Sequence, residues 1–240
     1  MTLSFQELDY QNTNKGELIL QRRLAADLDN REVFEVKLND EYLMSSLFVD
    51  GEEALTRIGL ESINKEDAEV VVGGLGLGYT AAEVLKYKHV SSLTVVEALE
   101  PVIRWHKEHL VPNGERLSND PRCTYHNADF FTLAGGNGFH PEVPAYEYDA
   151  ILLDIDHTPS ALLNPSHADF YSKDGLTRLA TFMKPGGVFA LWSNEAPDDD
   201  FLALMQTSIG PANGHVIEFD NPIRRSTEIN GVYVATKPQL

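Results

Sequence analysis

The chain has 240 residues, 42% of them hydrophobic, and a formal net charge of −18 at pH 7; this suits a globular protein with one good-sized core, alone or with a small appendage. So negative a chain repels phosphate backbones, which argues against a nucleic-acid partner and for cations such as amines, although acidity that serves only solubility stays open. No apolar run reaches the roughly 20 residues of a bilayer crossing, residues 1–7 lack the basic and apolar regions of a leader, and a lone Cys123 forbids an internal disulfide, so a cytoplasmic protein without a membrane partner is expected.

In chain order, Glu17-Leu18-Ile19-Leu20-Gln21 and Glu32-Val33-Phe34-Glu35-Val36-Lys37-Leu38 alternate or cluster apolar residues over strand lengths, with polar breaks at residues 27–30 and 39–40. They predict a small antiparallel N-terminal layer. The spacing of Ala54, Leu55, Ile58, Leu60 and Ile63 predicts a helix from Glu52 to Ile63 that links this layer to the next strand. Residues 1–65 are accordingly read as a β layer with a linking helix, and residues 66–240 as a second domain, whose expected nucleotide-binding and catalytic character rests on the motifs that follow.

That domain opens on Val70-Val71-Val72-Gly73, a short β-branched run suited to a buried parallel strand, followed by the turn Gly74-Leu75-Gly76-Leu77-Gly78. Glycines there let the backbone turn sharply and approach a ligand closely. A helix is predicted near 79–87 and a strand over 92–97, then a helix opened by Pro101 and ending near Leu110. Strands at 122–126 and 149–154, a helix near 168–182, a strand over 187–192, a helix near 198–208 and strands near 215–219 and 231–236 complete the series. Alternating strands and helices predict a doubly wound, mostly parallel α/β sheet of Rossmann-like type, the last two strands forming an antiparallel edge hairpin.

Ligands of open α/β sheets sit outside the carboxyl ends of the strands, so chemistry is sought there. Glu97 ends the second strand and can accept the hydroxyls of a ribose; a helix N-terminal acid is the plainer alternative. Asp129 follows the third strand, where it could face an adenine amino group or form a turn. Asp154-Ile155-Asp156-His157-Thr158-Pro159 follows the fourth strand, and acids at 154 and 156 share one side if the segment is extended. They could bind or deprotonate an amine, join His157 and His167 in a metal site, or cap a turn. No metal is assigned. His89, His106 and His109 receive no role, and Trp105 and Trp192 are read as packing residues.

These features resemble the polyamine aminopropyltransferases, the spermidine synthase family, on a seven-stranded, class I methyltransferase-like fold with a small N-terminal β layer. The resemblance spans residues 15–195. It rests on Val72 to Gly78, Val95-Val96-Glu97, Asn127-Ala128-Asp129, Tyr148 to Asp154, Phe170-Tyr171 and Lys184-Pro185-Gly186-Gly187. It implies that Gly73, Gly74, Gly76, Gly78, Glu97 and Asp129 hold the adenosine of decarboxylated S-adenosylmethionine or S-adenosylmethionine, that Glu53 and Tyr171 meet the substrate, and that Asp154 orients and deprotonates an amine. It also implies a possible homo-oligomer.

Four positions depart from the family. Gly76 stands where the family has an aspartate that contacts the donor's aminopropyl ammonium, and His157 stands in place of the second fourth-strand acid, with Asp156 one residue earlier. Gly51 and Glu52 likewise replace an aromatic and a His before Glu53. The expected activity is aminopropyl transfer to a small-molecule amine, with Asp154 orienting and Asp156 or His157 as base. A methyltransferase using intact S-adenosylmethionine and a non-catalytic nucleoside-binding homologue are the alternatives, the first because the missing aspartate removes a barrier to a carboxylated donor.

Overall fold

The computed structural model describes residues 4–39, 41–63 and 65–239. Leu20 lies opposite Val36 and Leu18 opposite Leu38, so apolar side chains share one face of the N-terminal sheet. That sheet has four antiparallel strands in sequence order: β1 (Phe5–Thr13), β2 (Gly16–Ala25), β3 (Arg31–Leu38) and β4 (Glu41–Ser45). The helix α1 (Asp50–Leu60) follows, burying Gly51, Ala54, Leu55 and Ile58 as its periodicity dictates. β1 and β4 lie outside the predicted elements. β1 is a half-exposed edge whose sequence, FQELDYQNT, has no apolar alternation to reveal it.

The second sheet has seven strands: β5 (Ala68–Gly73), β6 (Val90–Glu97), β7 (Cys123–Asn127), β8 (Tyr148–Leu153), β9 (Met183–Ser193), β10 (Ala212–Asn221) and β11 (Ser226–Thr236). Their order is β10-β11-β9-β8-β5-β6-β7, parallel from β5 to β9, with β11 antiparallel to both β9 and β10. The predicted α/β class and edge hairpin are both present. β5 pairs with β6 on one side and β8 on the other, so the crossovers diverge at its carboxyl end and leave a crevice there.

Strand alternation divides the core between the two faces of this sheet. Val70 and Val72 pack in one cluster with Leu18, Leu20 and Val36, which joins the N-terminal sheet to the larger one. Val71, Ile151 and Leu153 pack in the other, with Phe130, Phe139, Phe170 and Phe189. At the amino ends of the strands Lys184 Nζ donates to Glu69 (2.6 Å) and Asp149 (2.9 Å), fastening β5, β8 and β9 together away from the crevice.

The remaining helices are α2 (Tyr79–Val84), α3 (Glu100–Lys107), α4 (Gly114–Asn119), α5 (Phe130–Gly135), α6 (Lys173–Ala180) and α7 (Asp199–Ser208). The helix expected near 168–182 is split into a 3-10 turn at Pro165–Asp169 and α6, with Ser172 capping the latter by accepting from the Gly175 amide. No described helix is long and apolar enough to cross a membrane.

Candidate active site

Gly73 ends β5 and the chain turns over the tip of β8. The Gly74 amide donates to Val96 O (2.9 Å) and the Asp154 amide to Gly73 O (2.8 Å). Gly74 has φ +94°, and a Cβ there would overlap the Asp154 carbonyl oxygen, so only glycine lets the two tips approach this closely. Gly78 precedes α2.

The turn is held from three directions. Met44 of β4 packs against Gly76 and its Sδ accepts the Leu77 amide (3.0 Å). Asn113 donates to Leu77 O (3.0 Å), and His106 Nε2 donates to Gly76 O (2.9 Å). His106 is fully buried, and burial pushes its pKa down to about 4, so the ring is neutral with its proton on Nε2. The sequence alone gives His106 no role; its position on the same α3 stripe as the buried Val102, Ile103 and Trp105 is the signal that could have marked it as buried.

Glu97, at the tip of β6, accepts the Leu75 amide on Oε2 (3.0 Å) and the Leu99 amide on Oε1 (2.8 Å). Burial raises its pKa, and these backbone donors oppose the rise. Each oxygen keeps acceptor capacity toward the crevice. Glu97 lines a cavity of about 450 Å³ together with Gly74, Gly76, Asp129, Phe131, Asp154, His157 and His167.

Asp129 caps α5, accepting the Thr132 amide on Oδ1 (2.8 Å), and its Oδ2 pairs with Lys15 from the β1–β2 turn (3.4 Å). Burial would raise its pKa, but Thr132 and Lys15 outweigh it and hold the carboxyl below the usual range.

Beyond Gly76 the crevice adjoins a smaller cavity of about 60 Å³, lined by Met44, Glu52, Tyr79, Asp154, His157 and Trp192 among others. Asp154 Oδ2 accepts from Thr80 Oγ1 (2.6 Å); burial pushes its pKa up to about 6, against the Thr80 bond. Glu52 is pushed up to about 8, first by burial and then by the negative charge of Asp154. Two carboxyl groups thus share one poorly solvated pocket, and their mutual repulsion holds a proton there.

Three expectations change. Glu53 points outward, its side chain 49% exposed and paired with Lys86 (3.8 Å); the neighbouring Glu52 faces the site. The helical phase explains this: Glu53 shares the exposed stripe of Arg57, whereas Glu52 lies over the buried Leu55 and Thr56. Asp156 does not share a side with Asp154, because β8 ends at Leu153 and the following residues form a loop, not an extended strand. Its carboxylate turns inward, accepting the Leu163 amide (2.7 Å), His167 Nδ1 (2.9 Å) and the Tyr171 hydroxyl (2.9 Å).

Tyr171 is likewise buried with its hydroxyl spent on Asp156; burial and that carboxylate raise its pKa well above the tyrosine value. Neither residue lines either cavity. With Asp156 turned away, the four residues of the metal reading do not converge, and no group of three or more His, Cys, Asp or Glu with metal-binding placement occurs among the described residues.

The sequence and the fold are similar to those of known proteins. A sequence profile for the spermine/spermidine synthase domain matches residues 50–198. The polyamine aminopropyltransferase of Prochlorococcus marinus (strain MIT 9215) is 29% identical over 175 residues, 68% of this chain and 57% of that protein. Putrescine N-methyltransferase 2 of Nicotiana attenuata is 28% identical over 136 residues, 57% of this chain and 33% of that protein. The chain thus spans about half, or less, of the length of these curated relatives. The crystal structure of spermidine synthase from Thermotoga maritima superposes with a TM-score of 0.71 at 16% identity, covering 97% of this chain and 73% of that one. Since the profile covers more than half of its length, the chain belongs to the spermine/spermidine synthase domain family.

Proposed function

We propose that this chain is a transferase that moves the aminopropyl group of decarboxylated S-adenosylmethionine to a small-molecule amine, in the cytoplasm and without a metal. The observation that carries this reading is the charge of the smaller cavity. Glu52 and Asp154 line it, and no Lys or Arg does among the described residues. Such a pocket attracts an ammonium and repels a carboxylate, so it suits a decarboxylated donor and an amine acceptor.

The residues divide the work. Gly74 and Gly76 form the close-approach turn, and Glu97 offers acceptors to the ribose hydroxyls. The sulfonium of the donor makes its adjacent carbon electrophilic. Asp154, fixed by Thr80, holds the incoming ammonium and takes its proton, with Glu52 and His157 at hand to pass that proton on. The relatives' names support the class of chemistry: one is a polyamine aminopropyltransferase, another a putrescine N-methyltransferase.

Methyl transfer from intact S-adenosylmethionine is the second reading, favoured by the absence of an acid at Gly76, whose side-chain space Met44 fills. One assay separates the two. With putrescine as acceptor, methylthioadenosine is expected from the decarboxylated donor and no S-adenosylhomocysteine from the carboxylated one; the opposite outcome overturns the aminopropyl reading. Asp154→Asn is expected to lower kcat by about a hundred-fold or more, the usual worth of a positioned base.

A further inference from the structure

Asp156, His167 and Tyr171 form a buried polar group that the proposed chemistry leaves unused. All three are at least nine-tenths buried, with exposures of 0%, 4% and 7%. His167 Nδ1 lies 2.9 and 3.0 Å from the two oxygens of Asp156, and since a carboxylate only accepts, Nδ1 carries the proton. In the neutral ring Nε2 is then a bare acceptor. It has no protein partner among the described residues, and His167 lines the main cavity, its ring stacked on Phe131 at 3.7 Å. A carboxylate that fixes the tautomer of a cavity-lining imidazole gives that imidazole a defined hydrogen-bonding sense.

The part of the cavity in question is the end remote from Glu52. Asp129, Phe131, Leu163 and His167 line the large cavity and not the small one. If Glu97 takes the ribose and the carboxylate pair takes the transferred tail, this end receives the base. Asp129, the residue expected to face adenine, lines the same end; its oxygens accept from Thr132 and Lys15 and, like those of Glu97, keep further acceptor capacity, so the two hydrogens of an exocyclic amino group can meet Asp129 and His167 together.

We propose that His167 reads the base of the bound nucleoside, its Nε2 accepting a hydrogen bond from the exocyclic amino group of adenine, and that Asp156 is the positioning residue that sets the tautomer. The inference rests on the nucleoside-binding reading given above. An adenine presents hydrogen to Nε2 at this position, whereas hypoxanthine presents a carbonyl oxygen, acceptor against acceptor, which costs an unmade buried bond.

The test is calorimetry with methylthioadenosine and methylthioinosine on the full chain. The wild type is expected to prefer the adenine compound by about ten-fold or more. His167→Phe keeps the stack on Phe131 and leaves Asp156 satisfied by Leu163 and Tyr171, and it is expected to lower the ratio of the two affinities several-fold, to what Asp129 alone sustains. In Asp156→Asn the amide can donate to Nδ1, which moves the ring proton to Nε2 and is expected to lower or invert the ratio. A purely structural role would weaken both ligands alike and leave the ratio as in the wild type.

An unchanged ratio in folded His167→Phe overturns the assignment of His167, and an unchanged ratio in Asp156→Asn overturns the part given to Asp156. Should the Phe variant fail to fold, Asp156→Asn decides both. If the wild type binds neither compound, the nucleoside-binding reading itself falls, an outcome distinct from a bound nucleoside without base preference.

Discussion

Glu52 and Asp154 show how burial can turn ordinary carboxyl groups into a proton store. With pKa values pushed up to about 8 and about 6, the pair loses its protons across the neutral range. Both shifts are upward, so the uncharged forms dominate at low pH and the ammonium-binding, charged forms appear as pH rises. Amine affinity is therefore expected to climb between pH 6 and pH 8 and to level off above that. At pH 7 an entering ammonium would expel about one proton, seen in calorimetry as a binding heat that changes with the ionisation enthalpy of the buffer. In Glu52→Gln only Asp154 titrates, so the climb should end near pH 6 and the buffer dependence at pH 7 should vanish. A Gln variant with the wild-type buffer dependence would place the proton elsewhere.

The glycine turn and β4 depend on each other. Met44 occupies the space a side chain at residue 76 would need and also accepts the Leu77 amide, so strand and turn present one continuous wall to the crevice. Gly76→Asp, which restores the family's acid, is expected to cost about 1–3 kcal/mol by overpacking. The backbone itself tolerates Asp at φ +47° better than most residues. Combined with Met44→Ala the cost should fall below the sum of the single variants by about 1 kcal/mol or more, measured by urea unfolding, because each change relieves the other. Strict additivity would show that Met44 does not exclude an acid here. The sequence carried β5, its glycine turn and the tip acids Glu97 and Asp154 openly, since β-branched runs, glycines and strand-end acids are local signals. It concealed β4, the contact of Met44 with Gly76, and the inward turn of Asp156, which depend on where a loop or a distant strand comes to rest. Glu52 was legible through helical phase, but the family register drew attention to Glu53 instead.

The two sheets share one apolar cluster, so the walls of the crevice come from both: Asn14, Lys15 and Met44 from the N-terminal sheet face Gly76, Glu97 and Asp129 from the larger one. The chain carries a formal net charge of −18, and the tail end of the site concentrates part of it in Glu52 and Asp154, with no lining Lys or Arg among the described residues. Local and long-range fields therefore act in the same sense on a positively charged ligand, and a neutral nucleoside is indifferent to both. Salt weakens the long-range part, since the screening length falls from about 10 Å at 0.1 M to about 3 Å at 1 M. The dissociation constant of a diamine is thus expected to rise on the order of ten-fold between ~0.05 M and ~0.5 M sodium chloride, whereas that of methylthioadenosine should stay within about two-fold. Glu52→Gln should reduce the diamine's salt response only in part, because most of the field comes from acids spread over the surface. Equal salt responses for the diamine and the nucleoside would mean that the acidity of this chain serves its solubility and has no part in gathering substrate.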